Sequence, residues 1–203
     1  KITLESYEEN SNKLIEEYNL IDDKTKYANS IFDILSKNIF FSSLYGRLYS
    51  KLITTSSVFS DVLTENKELL NNIYSNINVY DSNKEYDLFC KHNKINDEIK
   101  ARTSFYCYLL LNDELDVNFI TDKILFLIEL IKNSESDLKS FEYIENINIY
   151  ITKTYDTIVQ TKVYDEIISM INNMKNKKEG FQHLKNKSIF KCMDILDYIE
   201  TKN

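Results

Sequence analysis

The sequence predicts an all-α protein, a right-handed stack of about four and a half helical hairpins made from about nine helices. Three observations carry that expectation. Apolar residues recur at intervals of three and four along most of the 203 residues. The chain has no proline and two glycines, so it almost lacks the usual helix breakers. A helical hairpin cannot bury both of its apolar faces alone, so one hairpin calls for another against it.

Periodicity weighs more than the missing breakers. Codons for Pro, Gly and Ala are GC-rich and those for Lys, Asn, Ile, Tyr and Phe are AT-rich, and the composition follows that split. The bias points to a low-GC genome, such as that of a protist or a large virus infecting one.

Residues 31–52 organise the chain. Leu44, Leu48 and Leu52 recur every fourth position with Tyr45 and Tyr49 one step behind, while Ile31, Ile34 and Leu35 form a second band. Residues 38–42 leave room only for a tight reversal, which makes a helical hairpin. Before it, Thr3, Leu4 and Glu5 make a good helix start, and Leu4, Tyr7, Leu14, Ile15 and Tyr18 hold helical spacing to a break at 19–23. The second helix is expected over 23–37 and the third over 42–53, followed by a hydroxyl-rich loop at 54–57.

Val62, Leu69, Leu70, Ile73, Ile77 and Tyr80 mark a fourth helix, and 81–96 fade into a polar loop with one short helical turn. A fifth helix resumes over 99–111. Val117, Ile120, Ile124, Leu127, Ile128 and Ile131 give one face of the sixth, whose reverse face is also apolar through Phe119, Phe126 and Leu130. That places it in the central layer of the array. Leu138, Phe141, Ile144 and Ile147 mark a seventh helix, and 151–160 read either as its end or as a short extended piece. Val163, Ile167, Met170, Ile171 and Met174 give an eighth, closed by a basic run and Gly180, and Ile189, Cys192, Met193, Leu196 and Ile199 a ninth. No linker composition interrupts the chain, so 1–203 read as one domain.

The chemistry available narrows the function. Two glycines far apart cannot make a phosphate-cradling loop, so no nucleotide cofactor is expected. Cys90 and His92 have a chelating spacing but no second pair accompanies them, so no metal is expected either. Nothing specifies a partner or an oxyanion site for a Cys–His nucleophile, and adjacent acids such as Glu8 and Glu9 point to different sides of a helix. The chain does not read as an enzyme. No run long enough to span a membrane appears, and three scattered cysteines fit reduced thiols, which together point to a soluble, cytoplasmic protein. A net charge of −7 disfavours dedicated nucleic-acid binding. The charge is uneven, with acid crowding the beginning and lysines the end; a solvated face is the ordinary origin of either run.

The organising hairpin also carries a resemblance. Phe41, Ser42, Tyr45, Gly46 and Leu48 stand as in the aromatic-Ser-x-x-Tyr-small-x-Leu signature of the middle domain of the eukaryotic initiation factor 4G family, with Asn38-Ile39 in place of a Glu-Pro-like turn. Ile2-Thr3-Leu4-Glu5 with Tyr7 resembles the family's opening. Phe105-Tyr106-Cys107-Tyr108-Leu109 and Leu130-Ile131-Lys132-Asn133 resemble its central pair, Cys107 and Tyr108 being departures that add bulk at a close helix contact. Phe190-Lys191-Cys192-Met193-Asp194-Ile195-Leu196-Asp197 resembles its ending.

The resemblance implies a HEAT-like solenoid that scaffolds translation initiation. It would hold the two lobes of a DEAD-box RNA helicase of the cap-binding complex half open, touch RNA weakly, and leave the cap-binding protein to segments outside this chain. It further implies a firm grip by the first hairpins and a weaker one by the last. On that basis Glu5, Glu8, Glu9, Asp22, Asp23, Asn38, Phe40 and Phe41 are expected at the helicase, and Lys185, Lys187 and Lys191 at its second lobe or at RNA. The rivals are a related middle domain of messenger RNA decay, splicing or nuclear cap binding and, from another class, a helical hydrolase with an acidic site.

Overall fold

Periodicity of 3.6 wins nearly everywhere it competes. The computed structural model describes residues 6–202, and among these the fold is all-α, with nine α-helices and no strand. The helices are α1 (Tyr7–Leu20), α2 (Lys24–Ser36), α3 (Ser42–Thr55), α4 (Ser57–Ser75), α5 (Tyr86–Leu110), α6 (Val117–Lys132), α7 (Asp137–Ile158), α8 (Tyr164–Lys175) and α9 (Asn186–Glu200), with a single 3-10 turn (Ile39–Phe41) between α2 and α3. The expected helix start at Thr3 and Leu4, with the Ile2-Thr3-Leu4-Glu5 opening, lies outside the described residues.

Side-chain acceptors start several helices where prolines are missing. Asp23 accepts from the Lys26 N–H, Asp116 from Asn118 and Ser136 from Lys139. The hydroxyl-rich stretch at 54–57 is shorter as a loop than expected. Thr54 and Thr55 return their hydroxyls to the Lys51 carbonyl and stay helical, and Ser56 alone is extended, capping α4 through the Val58 N–H.

Contacts between helices rise in step. Tyr7 meets Arg47 and Ser11 meets Lys51; Ser42 meets Ser104 and Gly46 meets Tyr108; Thr103 meets Asn146 and Tyr108 meets Lys153; Asp137 meets Ser188 and Thr152 meets Tyr198. Helices α1, α3, α5, α7 and α9 therefore run parallel to one another, each packed on the next. On the other side α2 packs on α4, α4 on α6 and α6 on α8. One continuous apolar cluster runs between the two rows from Tyr7 to Ile199. Its centre is aromatic: Phe32, Tyr49 and Phe105 meet edge to face, each ring burying apolar area worth about 1.5–3 kcal/mol.

Polar groups inside that core satisfy one another. The Tyr74 hydroxyl lies 2.6 Å from the Tyr150 hydroxyl and 2.8 Å from Thr103 Oγ1, which in turn donates to Asn146 Oδ1 at 2.6 Å. Burial drives the Tyr74 and Tyr150 hydroxyls well above the ordinary tyrosine range, so both stay neutral and ties among α4, α5 and α7 persist.

Three expectations are corrected and one open reading is decided. The loop expected at 81–96 is largely helix, because α5 begins at Tyr86 and runs through it. The central position expected of α6 belongs to α5 and α7; α6 packs on α7 and leaves Phe119, Phe126 and Leu130 half-buried. Ile34, Leu69 and Leu138, read as core-facing, are 62%, 52% and 51% exposed. The undecided stretch at 151–160 stays helical to Ile158 with a kink at Thr154, whose hydroxyl bonds back to the Tyr150 carbonyl at 2.7 Å and bends the helix.

Candidate functional site

The turn between α2 and α3 is built from the residues that the sequence singles out. Asn38 Oδ1 accepts from the Phe41 N–H at 3.2 Å, and Ser42 Oγ donates to the Ile39 carbonyl at 2.9 Å. Phe41 turns inward and lies over Tyr45, ring centroids 5.7 Å apart. Ser42 itself is buried and meets Ser104 of α5 at 2.7 Å. With its neighbours anchored, Phe40 projects outward and is 92% exposed. A bare phenyl ring held in solvent by an anchored turn is unusual for a residue type that normally supplies core area.

Close approach of α3 to α5 sets the position of that turn. A Cβ at Gly46 would stand 2.6 Å from Cβ of Tyr108, so contact with the next helix requires a small residue at this position. Below that contact α5 continues past the start of α3 and lies alongside the turn. Asp33 on α2 pairs with both Lys37, at 2.8 Å, and Arg102 of α5, at 2.6 Å, and Lys37 also reaches Glu98 at 3.7 Å. These half-exposed ion pairs add register more than stability.

Three depressions surround the first half of α5. One of about 600 Å³ lies between it and the turn, lined by Lys37, Ile39, Phe40, Lys94, Asp97 and Ala101. Another of about 440 Å³ lies towards α4, with Leu69, Ile73, Ile95 and Arg102 in its walls. The third, of about 320 Å³, is walled by Tyr80, Phe89, Phe141, Glu142 and Lys187 and shares Asp97 and Lys100 with the first. Phe40 and Lys187, distant in sequence, therefore border one continuous edge.

The expected site residues fall into four places. Asn38, Phe40 and Phe41 form the turn. Glu8 and Glu9 lie on the first turn of α1, where Lys51 gathers Glu8, Ser11 and Asn12 and Lys13 pairs with Glu9. Asp22 is exposed and Asp23 caps α2, at the other end of a helix about 20 Å long, so the acidic set is not one patch. Glu5 lies outside the described residues. Among the basic residues, Lys187 sits 3.7 Å above the Phe141 ring and Lys185 is exposed, its backbone N–H donating to Asp137. Lys191 is instead half-buried between Glu145, at 3.0 Å, and Asp194, at 3.6 Å; burial disfavours its charge, but the two carboxylates outweigh that and raise its pKa.

The sequence reading missed Lys94 and Ile95 because it made them loop, and Asp97 and Glu98 because they fell between that loop and the fifth helix. A signal was there. Phe89, His92, Asn96, Ile99 and Thr103 keep helical spacing, but three of the five are polar. His92 stacks on Tyr80 at 4.7 Å, and buried Asn96 donates to the Asn78 carbonyl at 3.0 Å.

Other chemistry is sparse. Among the described residues no group of three or more His, Cys, Asp or Glu could hold a metal ion, and no helix is long and apolar enough to cross a membrane. Ser140 Oγ lies 2.9 Å from His183 Nε2 with Asp137 nearby, which has the outline of a nucleophile and base. Ser140 is fully buried, however, and Asp137 is engaged by Ser188 and the Lys185 N–H, so the cluster ties α9 and its lead-in to α7. No family model, curated protein or solved structure matches the chain.

Proposed function

We propose that the chain is a HEAT-like solenoid acting as a scaffold without catalysis of its own, and that it docks a DEAD-box RNA helicase of the translation-initiation type along the edge made by the Asn38–Phe41 turn and the first half of α5. One observation carries this reading: Phe40 is held 92% exposed on a turn whose other residues are anchored. The turn lies within the stretch that resembles the signature of the initiation factor 4G middle domain. Support also comes from the parallel run of the odd-numbered helices, since stacks of hairpins present their inter-helix turns along one edge.

A partner's lobe seated there would bury Phe40 and Ile39 between charged rims formed by Lys37, Lys94 and Asp97. A single exposed aromatic entering a pocket is the kind of anchor that dominates interface energies. The scaffold then acts by favouring one arrangement of the helicase lobes, so its effect is bounded by its differential affinity for that arrangement.

The test is helicase turnover with RNA, measured with the wild-type chain and with Phe40→Ala. The wild-type chain should raise ATP turnover, and Phe40→Ala should weaken association by about tenfold or more with an unchanged melting temperature. Tight association with no effect on turnover would reduce the scaffold to a tether. No association with any initiation-type helicase would remove the reading.

A further inference from the structure

Two lysines on the row of even-numbered helices form a charge cluster that the docking edge does not use. Lys67 on α4 and Lys123 on α6 both lie over the ring of Phe119, 5.3 and 4.9 Å from its centroid. Their ammonium groups are therefore within about 10 Å of each other, no further than the screening length at ~0.1 M salt. Neither has a carboxylate at ion-pair distance among the described residues, whereas Lys37, Lys51, Lys100 and Lys191 all do.

The neighbouring polar group adds to the donors. Lys123 Nζ donates to Asn71 Oδ1 at 2.8 Å, and among the described residues the Asn71 Nδ2 has no hydrogen-bond acceptor. Burial pushes the Lys123 pKa down; Asp122, exposed beside it, works the other way, and the Lys67 charge adds to the depression. The ring face of Phe119 eases two like charges but carries no full negative charge of its own. The cluster thus gathers two ammonium groups around one ring with no carboxylate in contact among the described residues.

We propose that Lys67, Lys123 and the Asn71 amide bind a phosphate monoester dianion. The match is one of charge and valence. A monoester carries close to two negative charges at neutral pH and three terminal oxygens, which answer two ammonium groups and one amide N–H donor. A carboxylate supplies one charge and two oxygens, and a phosphodiester supplies one charge. Free phosphate and a phosphorylated side chain share the monoester chemistry, and the experiment separates them.

The experiment is a titration of the 15N-labelled chain with inorganic phosphate, with a phosphoserine tripeptide and with dimethyl phosphate, each at constant ionic strength. Saturable shifts are expected at the Asn71 side-chain amide and at the backbone amides of Lys67, Phe119 and Lys123. The double variant Lys67→Met and Lys123→Met keeps apolar stems over Phe119 and should weaken binding by at least about tenfold. If its melting temperature falls, Lys67→Met alone gives the same comparison. Tighter binding of the phosphoserine peptide than of phosphate would assign the site to a protein-borne ester, and equal binding to the free anion. Undiminished binding by the variants, equal binding of dimethyl phosphate, or no shift at millimolar phosphate would overturn the proposal.

Discussion

Between residues 99 and 110, α5 fully buries every side chain but Lys100, Arg102 and Tyr108, while between 86 and 95 the same helix fully buries none. The difference follows from what flanks each half. Ser104 sits opposite Ser42 and Thr103 opposite Asn146, so the second half lies between α3 and α7. The first half extends about 15 Å further, past the start of α3, and is held at its sides by the turn, by Tyr80 and by Asn78. One helix thus serves as core at one end and as part of an exposed edge at the other. The comparison teaches that exposure here comes from length: α5 has 25 residues where α3 has 14.

The largest effect belongs to the buried half. Phe105 is fully buried among Phe32, Tyr49 and Tyr106, so Phe105→Ala should cost about 3–5 kcal/mol in urea unfolding. A loss below about 1 kcal/mol would mean that the site collapses freely and the interior is not the close-packed one described.

A smaller effect, with a sign that discriminates, is expected at Gly46. In an open helix Gly→Ala is stabilising by up to about 1 kcal/mol. Here the new Cβ would stand 2.6 Å from Cβ of Tyr108, and overpacking costs of about 1–3 kcal/mol should prevail. If Gly46→Ala raises the unfolding midpoint, α3 and α5 are not as close as the geometry requires.

Much of the core was legible in the sequence and much of the edge was not, for physical reasons. Leu44, Leu48 and Leu52 with Tyr45 and Tyr49 are regularly spaced apolar residues, and all five are buried as read. The need for a small residue at Gly46 comes from the contact with Tyr108, which apolar spacing does not show. The first half of α5 was illegible because its inward face uses His92 and Asn96, polar residues whose partners are Tyr80 and Asn78 in the non-helical segment before it. Leu69 and Ile34 misled in the opposite direction, as apolar residues in helical register that are more than half exposed. Hydrophobic periodicity finds helices that rest on apolar neighbours, and it fails where a helix rests on polar ones or where apolar residues are displayed.

The smallest effect should come from the exposed half, and it decides whether that half is a firm ledge or a fraying end. Tyr86 and Leu88 are 66% and 39% exposed, so Tyr86→Ala and Leu88→Ala should each change global stability by no more than about 0.5 kcal/mol. Amide hydrogen exchange separates the two halves further. Amides over 99–110 should open only with global unfolding, whereas those over 86–95 should exchange through local opening of lower free energy, with few buried contacts to break. The tethers at Phe89, His92 and Asn96 set how low. Removing one by His92→Ala should speed exchange over 86–95 and leave 99–110 unchanged. Equal acceleration of both halves would show that α5 opens as one unit, and the edge would then share the stability of the core instead of resting on its own few contacts.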